Sequence, residues 1–473
     1  MKKMLLLSYL LCSGLFAVDT GSISSSNASY DGSALVLKGQ VILDHGLGKM
    51  LAEEATLQKQ EIGKDFPFSQ IHLQKDVTLQ LPQSGLLKCD DAELDFSTLK
   101  GVLTSAGRVS YTDTLKRKKG KPSTFQLASQ TIDLQFLKKN QSPSDPTKTQ
   151  YDIENVTARN LVELTYADHY TLFTDTVLYQ KELVNTPSTE FQSHLSSQGT
   201  ERCKLVHYAD TIEADRFDLD VVHQKLLLTR PEGILPSLSK GEVKFTSESL
   251  LWDHEKNTLI LKGNPVIQEP NLGTLASDKE LFLFQKEKQL VGFKSFGSTT
   301  LTYLNNHKLV SHGTLSFDRE RNIGTVESPL HEGSVPEGLQ LSYQENEMSV
   351  LADKAHIEYN EKDGTFQPIS VSLKGHIKIF SSRSDQPTTY GLADRLTYSP
   401  TTRTFILGAD PGNKVIFVNT EDHLRISAQE VHITQDPTTK KQTVKGLGNV
   451  QLALSAEEQA SLSKYFGHAI PTP

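Results

Sequence analysis

Apolar and polar residues alternate with period two through most of the chain. Ile369, Val371, Leu373, Ile377 and Ile379 fall on one face, against Ser370, Ser372, Lys374, His376 and Lys378 on the other. The same alternation places Leu35, Leu37, Val41 and Leu43 together, with Gly39 between them. Helical spacing cannot produce this pattern, and half-buried strands do. Two phrases recur along it. The first joins a small residue and an acid to an apolar run: Leu51-Ala-Glu-Glu-Ala-Thr-Leu57, Cys89-Asp-Asp-Ala-Glu-Leu94, Leu275-Ala-Ser-Asp-Lys-Glu-Leu281, Leu351-Ala-Asp-Lys-Ala-His-Ile357 and Leu392-Ala-Asp-Arg-Leu-Thr-Tyr398. The second is built on Gly: Leu37-Lys-Gly-Gln-Val-Ile-Leu43, Leu261-Lys-Gly-Asn-Pro-Val-Ile267, Leu373-Lys-Gly-His-Ile-Lys-Ile379 and Gly446-Leu-Gly-Asn-Val-Gln-Leu452. Gly inside a strand marks a bulge or bend, so these phrases predict strands that turn a corner. Turn signals such as Asp44-His-Gly-Leu-Gly48 and Asn360-Glu-Lys-Asp-Gly364 separate them. Consecutive strands should therefore pair as antiparallel meanders. Recurrence of one short unit predicts a stacked array.

Three stretches break the rhythm: Lys138 to Thr149, Asn185 to Thr200, and about Glu327 to Gly338. They are polar or rich in Pro and Gly and read as loops, insertions or boundaries. Ser455-Ala-Glu-Glu458 is a capping box that opens a short C-terminal helix, expected to cover the last open strand. The chain begins Met-Lys-Lys and continues with the apolar run from Met4 to Ala17, the form of a signal peptide cleaved after Ala17. That run falls short of the ~20 residues a spanning helix needs, and no second run of that length follows, so no permanent transmembrane segment is expected. The predicted layout is 1–17 signal peptide, 18–180 first β module, 181–202 linker or insertion, 203–330 second and divergent β module, 331–454 third β module and 455–473 helical tail.

Composition narrows the function. The formal charge is −8, and loss of Lys2 and Lys3 with the leader makes it more negative, which argues against nucleic acid as a partner. Cys89 and Cys203 remain in the mature chain, either as a disulfide or, the blander reading, as two unlinked strand residues. Lys116-Arg-Lys-Lys-Gly-Lys121 is the densest basic patch, read as a solvated hairpin tip or as a contact for lipid phosphates. No metal-binding spacing appears among the fifteen histidines, and His207, His254, His356 and His432 are expected on exposed, polar or mixed faces. Paired acids such as Glu53-Glu54 and Asp90-Asp91 sit on neighbouring strand positions, point to opposite faces and cannot act as an acid/base couple. No serine-hydrolase elbow is present. Trp252, the only Trp, is expected to pack in the core. No catalytic residue and no cofactor is predicted.

The pairing of the two phrases resembles the OstA-like module of lipopolysaccharide transport proteins in Gram-negative bacteria, found in LptA, LptC and the periplasmic part of LptD. Residues 39 to 57 carry the nearest copy, residues 373 to 398 and 424 to 452 are recognisable, and residues 100 to 250 match loosely. The resemblance implies an all-β fold: an elongated, twisted antiparallel jellyroll, open along one side, with a short C-terminal helix here. It implies a non-enzymatic periplasmic bridge that shields the acyl chains of lipid A, and partners of the same Lpt type joined by edge-strand addition. The chain is more than twice the length of a single LptA-type protein and lacks the C-terminal barrel of LptD. The lipid-binding residues it suggests are Leu35, Leu37, Val41, Leu43, Leu51, Ala55, Leu57, Ile357, Tyr359, Leu373, Ile377 and Ile379. The same side chains would also fill a closed core. A structural or adhesive secreted β-solenoid without lipid cargo is the alternative reading.

Overall fold

The computed structural model describes residues 22–59, 68–82, 85–115, 122–139, 150–166, 170–183, 191–208, 210–236, 242–270, 273–287, 289–303, 307–336, 338–345, 348–362, 365–382, 387–436, 439 and 442–466. The expected signal peptide and the basic run at 116–121 lie outside them. The chain divides into two compact units, Met1–Thr229 and Arg230–Pro473. Both are antiparallel β, and the described residues contain one helix, α1 (Ala456–Phe466).

In unit 1, two short strands, β1 (Ile23–Ser24) and β2 (Asn27–Tyr30), pair with the first long one, β3 (Ala34–His45). A meander follows: β4 (Gly48–Lys59), β5 (Phe68–Gln80), β6 (Leu86–Asp95), β7 (Lys100–Leu115), β8 (Ser123–Lys139), β9 (Gln150–Tyr166) and β10 (Tyr170–Leu183), each bonded to its neighbour in sequence. Every ladder of this meander breaks register near mid-strand, for example between Lys38 and Val41, Gln74 and Val77, and Thr104 and Val109. Each long strand is thus two half-strands joined at a corner. The halves belong to two half-sheets that meet along the corners and reach outward to the hairpin tips.

Later strands separate at the same place into individual pieces: β11 (Phe191–Ser197), β12 (Cys203–His207), β13 (Asp210–Ala214), β14 (Arg216–Asp220) and β15 (Lys225–Thr229). β11 lies within the 181–202 stretch, with Ser193, Leu195, Ser196 and Ser197 buried. Unit 2 repeats the scheme with short strands such as Thr258–Lys262 and Val266–Glu269, then returns to long bent strands at Thr365–Ser382 and Pro387–Ser399. Residues 328–336 and 338–340 form the irregular stretch the sequence marks, between the strands Ile323–Glu327 and Leu341–Glu345.

The two recurrent phrases are the two sides of the corner. All four Gly phrases place consecutive residues in the left-handed region: Gly39/Gln40 at φ 77° and 49°, Gly263/Asn264 at 72° and 50°, Gly375/His376 at 79° and 43°, and Gly448/Asn449 at 72° and 49°. A residue without Cβ enters that region at little cost, which explains the glycine at the first position. At Gly375 a Cβ would also lie 2.3 Å from Asp353 Oδ2. The register break strands main-chain donors, and the acids of the other phrase accept from them. Asp90 accepts from Ala106 N at 2.8 Å, Asp278 from Ser298 N at 2.8 Å, and Asp394 from Asp410 N at 2.7 Å. Asp353 Oδ2 instead meets His376 Nδ1 at 2.6 Å, while its own N–H reaches Lys374 O and Gly375 O at 3.1 Å each. These acids are structural. Asp394→Ala also removes the 2.9 Å bond from Asn413 Nδ2, and should cost unit 2 about 1 kcal/mol. The loss would appear as a lower urea midpoint read by Trp252 fluorescence.

Helix α1 is capped as the sequence predicts: Glu458 N donates to Ser455 Oγ at 3.2 Å, and Ser455 N to Glu458 Oε2 at 2.7 Å. Its place differs in part from the expected one. Leu462 is buried with Tyr390, Ile416 and Val418 on the outer face of a half-sheet, with Phe466 packed alongside, so the helix covers that face while Gln451 and Glu458 bond Ser427 in the last strand of that half-sheet. The sheet positions Tyr390, Leu392, Ile416 and Val418 are apolar on the side opposite the core-facing Gly391 and Ala393, and a sheet apolar on both faces needs a second cover.

Candidate functional site

Because the half-sheets join at the corners, their inner faces converge there and face one another toward the hairpin tips. The tip side is the mouth of each unit. Whether the mouth is shut decides whether the interior can take a ligand.

In unit 1 it is shut. One row of inward residues crosses the sheet in strict register, Leu57 to Ile71 to Leu94, then through Gly101 to Leu134, Val156 and Tyr179. None of these six large side chains is more than 3 % exposed. A buried polar cluster fills the space between the tips. Tyr111 and Tyr179 both donate to Asp113 Oδ2, at 2.9 and 3.4 Å, and Tyr179 also reaches Ser193 Oγ at 3.2 Å. Beside them Lys181 Nζ lies 3.5 Å from Asp152 Oδ1, and both side chains are almost wholly enclosed. Burial pushes the Asp113 carboxyl above its usual range, and the charge of Lys181 draws it partly back. Tyr111 and Tyr179 are driven upward by the same burial and by Asp113.

In unit 2 the equivalent row opens. Leu283 pairs with Phe293, Phe293 with Phe317, Phe317 with Gly324, Gly324 with Ile357, and the row continues through Val371 and Tyr398 to Phe405. Leu283 and Phe293 are buried, whereas Phe317, Ile357, Val371, Tyr398 and Phe405 are all half-exposed. The opposing half-sheet carries its own apolar row, Leu275, Leu301, Leu309 and Tyr343, buried at Leu275 and half-exposed over the other three. A cavity of about 40 Å³ lies where the two rows begin to part, lined from one side by Ile267 and Leu275 and from the other by Leu283, Phe293 and Phe317. Glu269 and Arg319 stand among its lining. Ring stacking fixes the half-exposed aromatics: Phe317 against Tyr359 with centroids 4.7 Å apart, and Tyr398 against Phe405 at 4.2 Å. The result is two apolar rows, buried at Leu275, Leu283 and Phe293 and only partly buried beyond them.

The predicted lipid-binding residues divide between these two interiors. Leu37, Val41, Leu43, Ala55 and Leu57 are buried in the closed core of unit 1, and Leu35 is half-buried at the head of its row. Leu51 pairs with Ile42 on the outer face, between the buried Met50 and Ala52. In unit 2, Leu373, Ile377 and Ile379 are buried close to the corner, Tyr359 is buried beneath Phe317, and Ile357 is half-exposed in the open row. Phe317, Val371, Tyr398, Phe405, Leu301, Leu309 and Tyr343 complete the two rows and are absent from the predicted set. Their alternation marks them as inward-facing, but only the separation of the halves shows which inward residues meet solvent.

Several other groups fall into place. Cys89 and Cys203 are both buried free thiols, pushed up to about 12 and about 11 by that burial, so the unlinked reading is the correct one. His207, expected to be exposed, is buried and sits 2.9 Å from Asp210 Oδ2. The pair lies at the ends of one hairpin, where both side chains turn inward. Trp252 is buried as expected. Adjacent strands bring His72, Asp91 and Glu93 within 4.8 Å on the outer face of unit 1, a grouping that sequence spacing conceals. His72 Nε2 and Gln74 Nε2 already engage Asp91 there, at 2.8 and 3.1 Å.

No family model matches this chain, and no curated protein matches it. Among the described residues, no helix is long and apolar enough to cross a membrane.

Proposed function

We propose that this chain is a non-enzymatic periplasmic protein that binds lipopolysaccharide and shields its acyl chains in the apolar groove of unit 2. The observation that carries the reading is the half-exposed row from Phe317 to Phe405, facing Leu301, Leu309 and Tyr343. A soluble fold rarely leaves two facing apolar rows part-open without an occupant. Each acyl methylene moved from water onto such a surface contributes ~0.8 kcal/mol, so one chain laid along the row would be held firmly. The corner phrases that suggest the OstA-like resemblance are, in the structure, the joints that create two facing half-sheets. Partners of the same jellyroll type, joined by edge-strand addition, fit the antiparallel ladders. The closed, polar-sealed interior of unit 1 favours the second reading for that unit, a structural scaffold without cargo in its resting state.

The test is photo-crosslinking in living cells. A crosslinking residue at Phe405, inward, should capture lipopolysaccharide, while one at Ile406, equally half-exposed but outward, should not. Equal capture from both sites, or none from Phe405, overturns the reading. Phe405→Asp should weaken binding of a purified acyl-chain ligand by roughly tenfold or more, because a carboxylate must then be desolvated or the chain displaced.

A further inference from the structure

The mouth of unit 1 is bridged at a second point, and the bridge has the form of a movable part. The tip of the β3–β4 hairpin, His45-Gly46-Leu47-Gly48, belongs to one half-sheet. It rests on tip residues of the other. The His45 ring stacks on Tyr151 with centroids 5.3 Å apart and meets the edge of Phe96 at 4.4 Å, and Phe96 in turn stacks on Phe136 at 6.4 Å. One main-chain hydrogen bond crosses the gap, from Tyr151 N to Gly46 O at 3.0 Å. Leu47 is inserted beneath, only 1 % exposed, and its N–H donates to His45 Nδ1 at 3.2 Å. The tip is flexible by composition, with Gly on both sides of Leu47. Gly48 has φ +128°, and a Cβ there would lie 2.0 Å from Gln80 O, so only glycine serves at that pivot.

Behind this hairpin lies an interior of the same construction as the open groove: rows of inward apolar residues between two half-sheets, closed here instead of parted. Among the described residues, the contacts that cross here include one main-chain bond, a cluster of rings and one buried leucine. Hairpin tips are among the parts of a fold that open first. We propose that the β3–β4 hairpin is a latch over the mouth of unit 1, and that its release admits an acyl chain to that interior. This rests on the reading of the jellyroll interior as an acyl-chain site.

The chain carries its own reporters. Cys89 is an inward residue of β6, and Cys203 is an inward residue of β12, distant in the ladder from the latch. Both thiols are protected by burial, so labelling by N-ethylmaleimide reads access to the interior. In the full chain, the double substitution His45→Ala/Tyr151→Ala should raise the labelling rate of Cys89 at least tenfold and leave that of Cys203 unchanged, with mass spectrometry assigning the sites. Cys89 as protected as in the unsubstituted protein overturns the latch. So does parallel exposure of both cysteines, which would mean loss of fold. Dansyl-undecanoic acid should then restore the protection of Cys89 in the released variant. Exposure of Cys89 that this fatty acid leaves unchanged overturns the acyl chain as occupant. Binding of the same probe to Phe405→Asp, whose substitution lies in unit 2, separates failure of the latch from failure of the groove.

Discussion

Lys181→Met should destabilise unit 1 by about 3–5 kcal/mol at neutral pH, the cost of leaving buried carboxylates without their positive charge. Lys181 is a buried cation beside Asp113, Asp152, Tyr111 and Tyr179 inside the mouth. Asp113 shows what that charge does: burial raises its pKa, and Lys181 is the strongest influence acting the other way. With methionine in its place, both acids face a low-dielectric interior, and each must either take a proton or draw water between the half-sheets. The sign of the pH dependence follows. A carboxyl whose folded pKa is raised binds protons in the folded state, so stability is regained as pH falls through that raised value and lost above it. The cost of Lys181→Met should therefore shrink on acidification. Adding Asp113→Asn should recover much of it at neutral pH, because an amide oxygen still accepts from Tyr111. Hydrogen-exchange protection of β8 to β10 measures each variant. A loss below about 1 kcal/mol at neutral pH would show that the cluster is hydrated and does not seal the mouth.

The corners were legible because their chemistry is local. Glycine enters the left-handed region cheaply, and a short acid beside it accepts the donors stranded by the register break, so Lys-Gly-x and Ala-Asp phrases mark several of the corners; Lys75/Asp76 and Asn160/Leu161 turn without glycine and carry no such phrase. Alternation then told which residues face inward, and Leu37, Val41, Leu373 and Ile377 are all interior. The distance between the two inner faces is not local. Asp113 reads as one polar residue in a Thr-Asp-Thr strand until β10 brings Tyr179 and Lys181 to it across the mouth. His45 reads as part of a turn, and nothing nearby in sequence announces Tyr151 or Phe96 as its partners. Phe317 and Phe405 have the same alternation as Leu94 and Leu134; one pair is half-exposed and the other buried. The candidate site is thus the part of the pattern that depends on how far strands remote in sequence stand apart. The seat of α1 on the outer face has a similar cause. Tyr390, Leu392, Ile416 and Val418 form an apolar face only when two strands are paired.

Acidification should weaken the closed state of unit 1 through His45, by roughly 2 kcal/mol between pH 7 and pH 5 and roughly 3 kcal/mol by pH 4. Burial lowers the His45 pKa from 6.5 to about 4. The unfolded chain therefore begins to take up this proton near pH 6.5, while the folded chain refuses it until about pH 4. Between those values the unfolded state binds more protons, and stability falls as pH falls; the loss from this group levels off below about pH 4. Asp113, raised by burial, works in the opposite direction over the acid range, so the total pH profile of unit 1 mixes the two. A difference measurement isolates the histidine. His45→Phe keeps an aromatic ring against Tyr151 and Phe96 but cannot be protonated, and it forfeits the bond from Leu47 N at every pH. The stability gap between the two proteins, read from hydrogen exchange in β3, β4 and β9, should move by roughly 2 kcal/mol in favour of the phenylalanine variant from pH 7 to pH 5. A gap that stays constant over that interval would mean that His45 is solvated in the closed state. The hairpin tip would then lie loosely over Tyr151 and Phe96, and the seal of unit 1 would belong to the Asp113 cluster alone.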